Sequence, residues 1–211
     1  DSSNNTTPVA APAALDLTAG SDTGLSSSDH ITKTTTPTVA GTSEPNAQVI
    51  IYDTDGVTVV ATTTSGSDGH WSVATSALSN GAHLLTAKSV VDGVVSPAST
   101  SLSVNVDTNS PSYGSAVING KTLVLNYAEA GSGIASGATP TTAEYVVKSN
   151  GEEVVVSDVT LDVANKTVTL TLANTVQPSD VVTVSYSADG SAAHELQDNA
   201  GNIASNLVNT S

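Results

Sequence analysis

The sequence predicts an all-β protein in which two domains of similar size follow one another. A chain of 211 residues suits two domains of about 100 residues, each with its own core. Short apolar runs rich in Thr, Val and Ser alternate with Gly-, Asn- and Asp-containing turn signals. Turns spaced about every 8–12 residues are typical of an immunoglobulin-like β-sandwich. We therefore predict two tandem immunoglobulin-like β-sandwich domains, with no helix longer than one turn.

The first domain is predicted over residues 13–107, after a small, polar and proline-containing linker at residues 1–12. Alternation within HWSVA places Trp71 and Val73 on one face of a strand. The predicted strands cover residues 14–18, 38–43, 48–52, 58–64, 70–75, 83–91 and 101–106.

The second domain is predicted over residues 108–211, because the segment DTNSP interrupts the strand pattern at residues 107–111. Asn119-Gly120 is a strong signal for a type I′ hairpin. The predicted strands cover residues 116–118, 121–127, 144–148, 153–163, 166–172, 181–187 and 203–208.

Composition excludes several classes of function. The net charge of −15 comes from 20 acidic residues against five lysines, so the basic face that nucleic acid requires is missing. Without cysteine, the chain has no disulfides and no thiolate metal sites. No apolar run reaches the length of a membrane span, so we expect no membrane insertion. Because the sequence does not begin with Met, we expect a fragment of a longer chain.

The first half resembles the bacterial immunoglobulin-like repeats of large type I-secreted, RTX-type adhesins. The resemblance runs over residues 15–108 and is carried by LDLTAGSDTGLSSSDHIT, TPTVAGTSEPNAQVIIYDTDG, SDGHWSVATSALSNGAHLLTAKSVVDG and SPASTSLSVNVDT. The chain departs from those repeats at VDGVV (residues 91–95), where an Asp-x-x-Gly-Asn turn is common. The second half resembles the SwmB-type repeat through VINGKTLVLNYAE, VTVSYSADG and LQDNAGNIASNLVN.

These resemblances imply a scaffold or extender module of a secreted or cell-surface bacterial protein that acts in cell adhesion and biofilm attachment. We expect a monomer whose partners are the neighbouring domains of the same long chain. The resemblances also imply frequent calcium binding.

The aspartates point to calcium independently, because most of them lie in Gly- and Ser-rich loops. Ca²⁺ takes about 6–8 oxygen ligands with loose geometry, which such loops can supply. Strand counting puts the A–B loop and the exit of the first domain at the end facing the second domain, and the F–G loop of the second domain facing back. The resulting predicted calcium set is Asp22, Gly24, Asp29, Asp107, Asp189, Asp198 and Asn202. The alternative is that each aspartate only caps a turn.

Two other classes of function remain as alternatives. A sugar- or peptide-binding module could use the long loops of the second domain, with a surface glycan or peptide as its partner. An enzyme would have to use the scattered histidines (His30, His70, His83 and His194), but no Gly-x-Ser-x-Gly elbow or other nucleophile motif accompanies them. We therefore expect no catalytic site.

Overall fold

The structure, a computed structural model, describes residues 7–211 and divides the chain into two compact units, Asp1–Thr108 and Asn109–Ser211. Each unit consists of two β-sheets around an apolar core, so the predicted all-β, immunoglobulin-like sandwich fold is confirmed. Within residues 7–211 the only helix is a single 3₁₀ turn, Thr142–Glu144. No helix in this part of the chain has the length and apolar character needed to cross a membrane.

The first unit has a small sheet and a large sheet. The small sheet has the order β1-β3-β6, and the large sheet has the order β2-β9-β7-β4-β5, with β8 paired to β7. The strands are β1 (Ala13–Leu17), β2 (Ile31–Thr32), β3 (Thr38–Thr42), β4 (Gln48–Tyr52), β5 (Val59–Thr64), β6 (His70–Ala74), β7 (Gly81–Val91), β8 (Val94–Val95) and β9 (Leu102–Val106).

The core of the first unit follows from the alternation along most of its strands. In β4, Val49 and Ile51 are fully buried, whereas Gln48 is exposed. Trp71 of β6 is paired with Gly41 of the adjacent strand β3. Its indole ring lies over that glycine. With no Phe or Met in the chain, branched aliphatic side chains and this one indole fill the space between the sheets.

The second unit has two four-stranded sheets, with the orders β10-β11-β15-β14 and β13-β12-β16-β17. The strands are β10 (Ser112–Asn119), β11 (Thr122–Ala128), β12 (Tyr145–Ser149), β13 (Glu152–Val154), β14 (Val156–Asp162), β15 (Thr167–Leu172), β16 (Val182–Tyr186) and β17 (Leu207–Thr210). The core combines aliphatic residues with Tyr127, Tyr145 and Tyr186, all of them buried.

Several predicted strands differ from the structure, and two short strands were not predicted. The predicted strand at 153–163 is two strands, because the chain passes at Val155 from the sheet of β12 to the sheet of β15. The predicted strand at 203–208 begins only at Leu207, and Ile203 makes an isolated bridge to Gln197 instead. Strands β2 and β8, of two residues each, were not predicted, because two residues are too few to show an alternation.

The predicted turn type at Asn119-Gly120 is wrong. Asn119 pairs with Thr122, so Gly120 and Lys121 are the two central residues of the hairpin. Gly120 has φ 61°, and Lys121 does not have a positive φ, which is the pattern of a type II′ turn with glycine first. The register moves by one residue because Asn119 continues the strand.

The predicted linker at residues 1–12 lies partly outside the described residues. Residues 7–12 contain no strand, as expected, yet Val9 and Pro12 are buried. This part of the segment therefore packs on the domain that it precedes.

Candidate metal centre

The loop between β1 and β2 brings two of the predicted ligands together. Asp22 is only 5% exposed, and its Oδ2 accepts a hydrogen bond from the His30 amide at 3.2 Å. Its Oδ1 is buried and has no hydrogen-bond partner among the described residues. Burial raises the pKa of Asp22, the His30 amide opposes this, and the carboxylate of neighbouring Asp29 raises the pKa further. The loop thus holds a buried carboxylate oxygen next to a second acid.

Asp107 lies beside β2, the short strand that follows this loop. Strand β2 runs parallel to β9, so the exit of β9 lies beside residues 30–32. The Asp107 amide donates to the Thr32 carbonyl at 2.8 Å, and the Asp107 side chain is buried. Gly24, in the same loop as Asp22, has φ 91°, which glycine adopts without strain. The residues predicted in the first domain therefore surround one end of its large sheet.

In the second domain, Asp198 and Asn202 form a closed loop. Asp198 is fully buried, and its Oδ1 and Oδ2 accept hydrogen bonds from the Asn202 backbone amide at 2.8 Å and the Asn202 side-chain amide at 2.7 Å. The Asp198 amide donates to the Asn202 carbonyl at 3.1 Å, and Gly201 makes the turn with φ 85°. The structure therefore brings these two predicted residues together.

Glu129 joins this group and was missed in the sequence. It is buried, its Oε1 accepts the Gly131 amide at 2.8 Å, and its Oε2 is buried without a hydrogen-bond partner. Its carboxylate lies within 4.8 Å of that of Asp198. The alternation of β11 could have revealed it, because Leu125 and Tyr127 are buried and Glu129 is the next residue in that series.

Asp189 has different neighbours from those predicted. Its Oδ2 lies 3.5 Å from Nδ1 of His194, and its Oδ1 accepts the Ser191 amide at 2.7 Å. Glu144, at the end of the 3₁₀ turn, completes a group of three possible ligands within 4.8 Å. The structure therefore places Asp189 with His194 and Glu144, neither of which belongs to the predicted calcium set.

His83 has a structural role in the first domain. Its Nδ1 lies 2.8 Å from Oδ1 of Asp53, and its Nε2 lies 2.9 Å from the Ser79 carbonyl oxygen. Both neighbours are acceptors, so the doubly protonated ring satisfies both. Burial lowers the pKa of His83, but the bonds to Ser79 and Asp53 outweigh it, and the net pKa is raised. Burial likewise raises the pKa of Asp53, but the hydrogen bonds from His83 and Thr54 outweigh it and lower the pKa overall.

We expect the His83–Asp53 pair to stabilise the first domain most between about pH 4 and pH 6.5. Because the pKa of His83 is raised in the folded state, its contribution to stability is complete below the pKa of the unfolded chain. That contribution is lost as the pH rises through the pKa of the folded state. Because the pKa of Asp53 is lowered in the folded state, its contribution to stability is complete above the pKa of the unfolded chain. That contribution is lost as the pH falls through the pKa of the folded state. Urea unfolding followed by Trp71 fluorescence should show that His83→Gln costs about 1.5–3 kcal/mol in this window and less above pH 7. The exposed His70→Gln is the control, and a cost independent of pH would contradict the ion pair.

The aromatic side chains offer little surface on which a sugar could stack. Trp71, Tyr127, Tyr145 and Tyr186 are buried in the two cores. Tyr113 packs edge-on against Tyr127, and Tyr52 lies under Lys88, whose Nζ is 5.5 Å from the ring centre.

Two family models match the chain. A bacterial Ig-like domain (Big_13) matches residues 8–108, and a flagellar system-associated repeat (the SWM repeat) matches residues 106–191. The resemblances of the two halves to a bacterial immunoglobulin-like repeat and to the SwmB-type repeat are confirmed at this level, whereas the RTX type stays a prediction. No curated protein matches the sequence.

Solved structures that match the chain include one titled "Biofilm associated protein - BSP domain". It is 17% identical with a TM-score of 0.29, and the match covers 85% of this chain and 28% of that one. The FN1–FN3 domains of chicken CNTN1 are 9% identical with a TM-score of 0.34, and the match covers 97% of this chain and 65% of that one. The chain thus spans less than two thirds of either structure. Neither similarity bears on function.

Proposed function

We propose that the chain is a calcium-stiffened tandem module of a large secreted or cell-surface bacterial adhesin, acting as a scaffold or extender in adhesion or biofilm attachment. The bacterial Ig-like domain over residues 8–108 supports the structural, non-enzymatic role. Its partners are the neighbouring domains of the same chain, and the module is a monomer. Stacking of a sugar has little support, because most of the aromatic residues belong to the cores.

The observation that carries the calcium assignment is the buried, unpartnered Oδ1 of Asp22 beside Asp29. A buried carboxylate oxygen without a donor costs about 1–3 kcal/mol or more, and a second carboxylate adds repulsion. A divalent cation turns that repulsion into attraction. Oxygen ligands on irregular loops suit Ca²⁺ better than Mg²⁺, which demands near-ideal octahedral geometry.

The remaining acids fit the same chemistry. Asp107 ends the first domain one residue before its boundary, and Glu129 and Asp198 give the second domain a buried acidic pair. Oε2 of Glu129 is buried and has no hydrogen-bond partner among residues 7–211, so it could bind a cation. Calcium bound to these carboxylates would neutralise their charge and rigidify the loops that carry them, as a module that bears force within a long chain requires.

We expect about 5 mM Ca²⁺ to stabilise the first domain by about 1–2 kcal/mol, for an affinity on the order of 10⁻⁴–10⁻³ M. Thermal unfolding of the full chain, followed by Trp71 fluorescence, measures this because Trp71 lies in the first domain. In Asp22→Asn the calcium effect should largely disappear. Without calcium this variant should be as stable as the wild type or more so, since its amide oxygen can still accept from His30 and the repulsion with Asp29 is gone.

The matched control is Asp92→Asn, which removes one exposed carboxylate from the same domain and keeps a residue type that tolerates its φ of 48°. Asp92→Asn should retain the full calcium effect. Small-angle scattering on the same samples should show a narrower distribution of lengths with Ca²⁺ than with EDTA. An unfolding temperature that is equal in calcium and in EDTA would refute the calcium assignment.

A further inference from the structure

A second group of possible ligands lies in the second domain and includes a histidine. Glu144 stands directly before β12, and Asp189 and His194 lie in the segment that follows β16. One ligand atom from each of the three lies within 4.8 Å of the others. Strands β12 and β16 are paired, and Tyr145 lies opposite Tyr186. The sheet register therefore places Glu144 beside the segment that carries Asp189 and His194.

Glu144 provides independent evidence for a ligand at this group. It is only 4% exposed, and its Oε2 accepts the Thr141 amide at 2.7 Å. Its Oε1 is buried and has no hydrogen-bond partner in the described part of the chain. Burial raises the pKa of Glu144, the Thr141 amide opposes this, and the carboxylates of Asp189 and Glu195 add to the rise against the opposing effect of His194.

Backbone hydrogen bonds hold the segment in this conformation. The Ser187 amide donates to the Glu144 carbonyl at 2.9 Å, and the His194 amide donates to the Ser191 carbonyl at 2.8 Å. The Gly190 amide donates to Oε1 of Glu195 at 2.8 Å. Side chains that are already positioned lose little entropy when they bind an ion.

The donor set indicates the class of ion. An imidazole nitrogen suits zinc and related transition metals, whereas calcium takes oxygen ligands. Zinc bonds of about 2.0–2.2 Å in a tetrahedral site place neighbouring ligand atoms about 3.3–3.6 Å apart. Nδ1 of His194 and Oδ2 of Asp189 are 3.5 Å apart, which is this spacing and too long for a strong hydrogen bond.

We propose that Glu144, Asp189 and His194 form a binding site for a divalent transition metal, with Zn²⁺ as the preferred ion. Water completes the coordination, because both Asp189 and His194 are about half exposed, with side-chain exposures of 46% and 48%. The ion neutralises the buried Glu144 carboxylate and ties the segment after β16 to the start of β12. This site is independent of the proposed calcium function and takes Asp189 away from the calcium set.

The test is Zn²⁺ binding to the full chain after metal removal, in the presence of millimolar Ca²⁺, by competition with a chromogenic chelator. The imidazole signals of His194 in an NMR spectrum should shift on binding. Mutating a residue that only hydrogen-bonds to a metal ligand typically weakens metal affinity about 10–100-fold. His194→Ala and Glu144→Gln each remove a ligand itself, so each should weaken the Zn²⁺ affinity by about that factor or more. The exposed His70→Ala should bind like the wild type.

Asp189→Asn is a further test, since a change at an exposed position leaves the fold intact and circular dichroism can verify this for every variant. It too should weaken Zn²⁺ binding. Three results would overturn the proposal. They are His194 signals that do not move at saturating Zn²⁺, displacement of Zn²⁺ by millimolar Ca²⁺, or wild-type affinity in Glu144→Gln, which would identify Glu144 as a protonated structural acid.

Discussion

Gly41→Ala should destabilise the first domain by about 1–3 kcal/mol, although glycine-to-alanine in a strand normally stabilises by about 0.5–1 kcal/mol. An alanine Cβ at this position would lie 2.4 Å from Cζ2 and 2.9 Å from Cε2 of Trp71, and 3.0 Å from the Ala13 carbonyl oxygen. The indole ring is rigid and buried in the core, so it cannot move aside without opening a gap elsewhere.

Urea unfolding followed by Trp71 fluorescence measures this change in the full chain. Gly20→Ala is the matched control, because nothing lies within 4 Å of its added Cβ and its φ is not in the left-handed region. That variant should be neutral or slightly stabilised, by up to about 0.4–1 kcal/mol, through the reduced freedom of the unfolded chain. If both variants changed stability equally, the close approach of Trp71 to Gly41 would not be the cause.

Tyr186→Phe should destabilise the second domain by about 1–3 kcal/mol. The Tyr186 hydroxyl accepts the Leu196 amide at 3.0 Å inside the core, and phenylalanine would leave that buried donor without a partner. This bond also holds the segment that carries His194 and Asp198. We therefore expect the Leu196 amide to exchange its hydrogen faster, in addition to a lower unfolding temperature by calorimetry.

Tyr113→Phe is the same substitution in the same domain with the opposite expected result. The Tyr113 hydroxyl is buried and has no hydrogen-bond partner within residues 7–211, so removing it should be neutral or stabilising. Leu196 should exchange at the wild-type rate in this variant. Equal losses in the two variants would show that the hydroxyl bond to Leu196 contributes nothing specific.

Most strands of five or more residues could be predicted because alternation and turn residues are local properties of the chain. β3, β4 and β15 have the predicted positions within one residue at each end. The split at Val155 could not be predicted, because both new strands continue one apolar pattern. Which sheet each of them joins depends on pairing with β12 and β15, and such pairings between distant segments leave no local signal.

The candidate sites show the same division. Loop composition was enough to select Asp22 and Asp29 as neighbours and to pair Asp198 with Asn202, because each pair lies within one loop. Glu129 and Glu144 were missed because they stand next to strands, where strand alternation and not loop composition carries the signal. Their burial depends on what packs over them.

The sequence by itself determined that this is an acidic, all-β protein of two sandwich domains with carboxylates in its loops. Periodicity, turn residues and charge are local properties of the sequence, so they can be recognised without a structure. Only the tertiary structure decided which carboxylate oxygens are buried without a donor, on Asp22, Glu129 and Glu144. It also decided that Asp189 lies beside a histidine. Those properties depend on the distance between residues far apart in the chain, which strand register sets and composition does not.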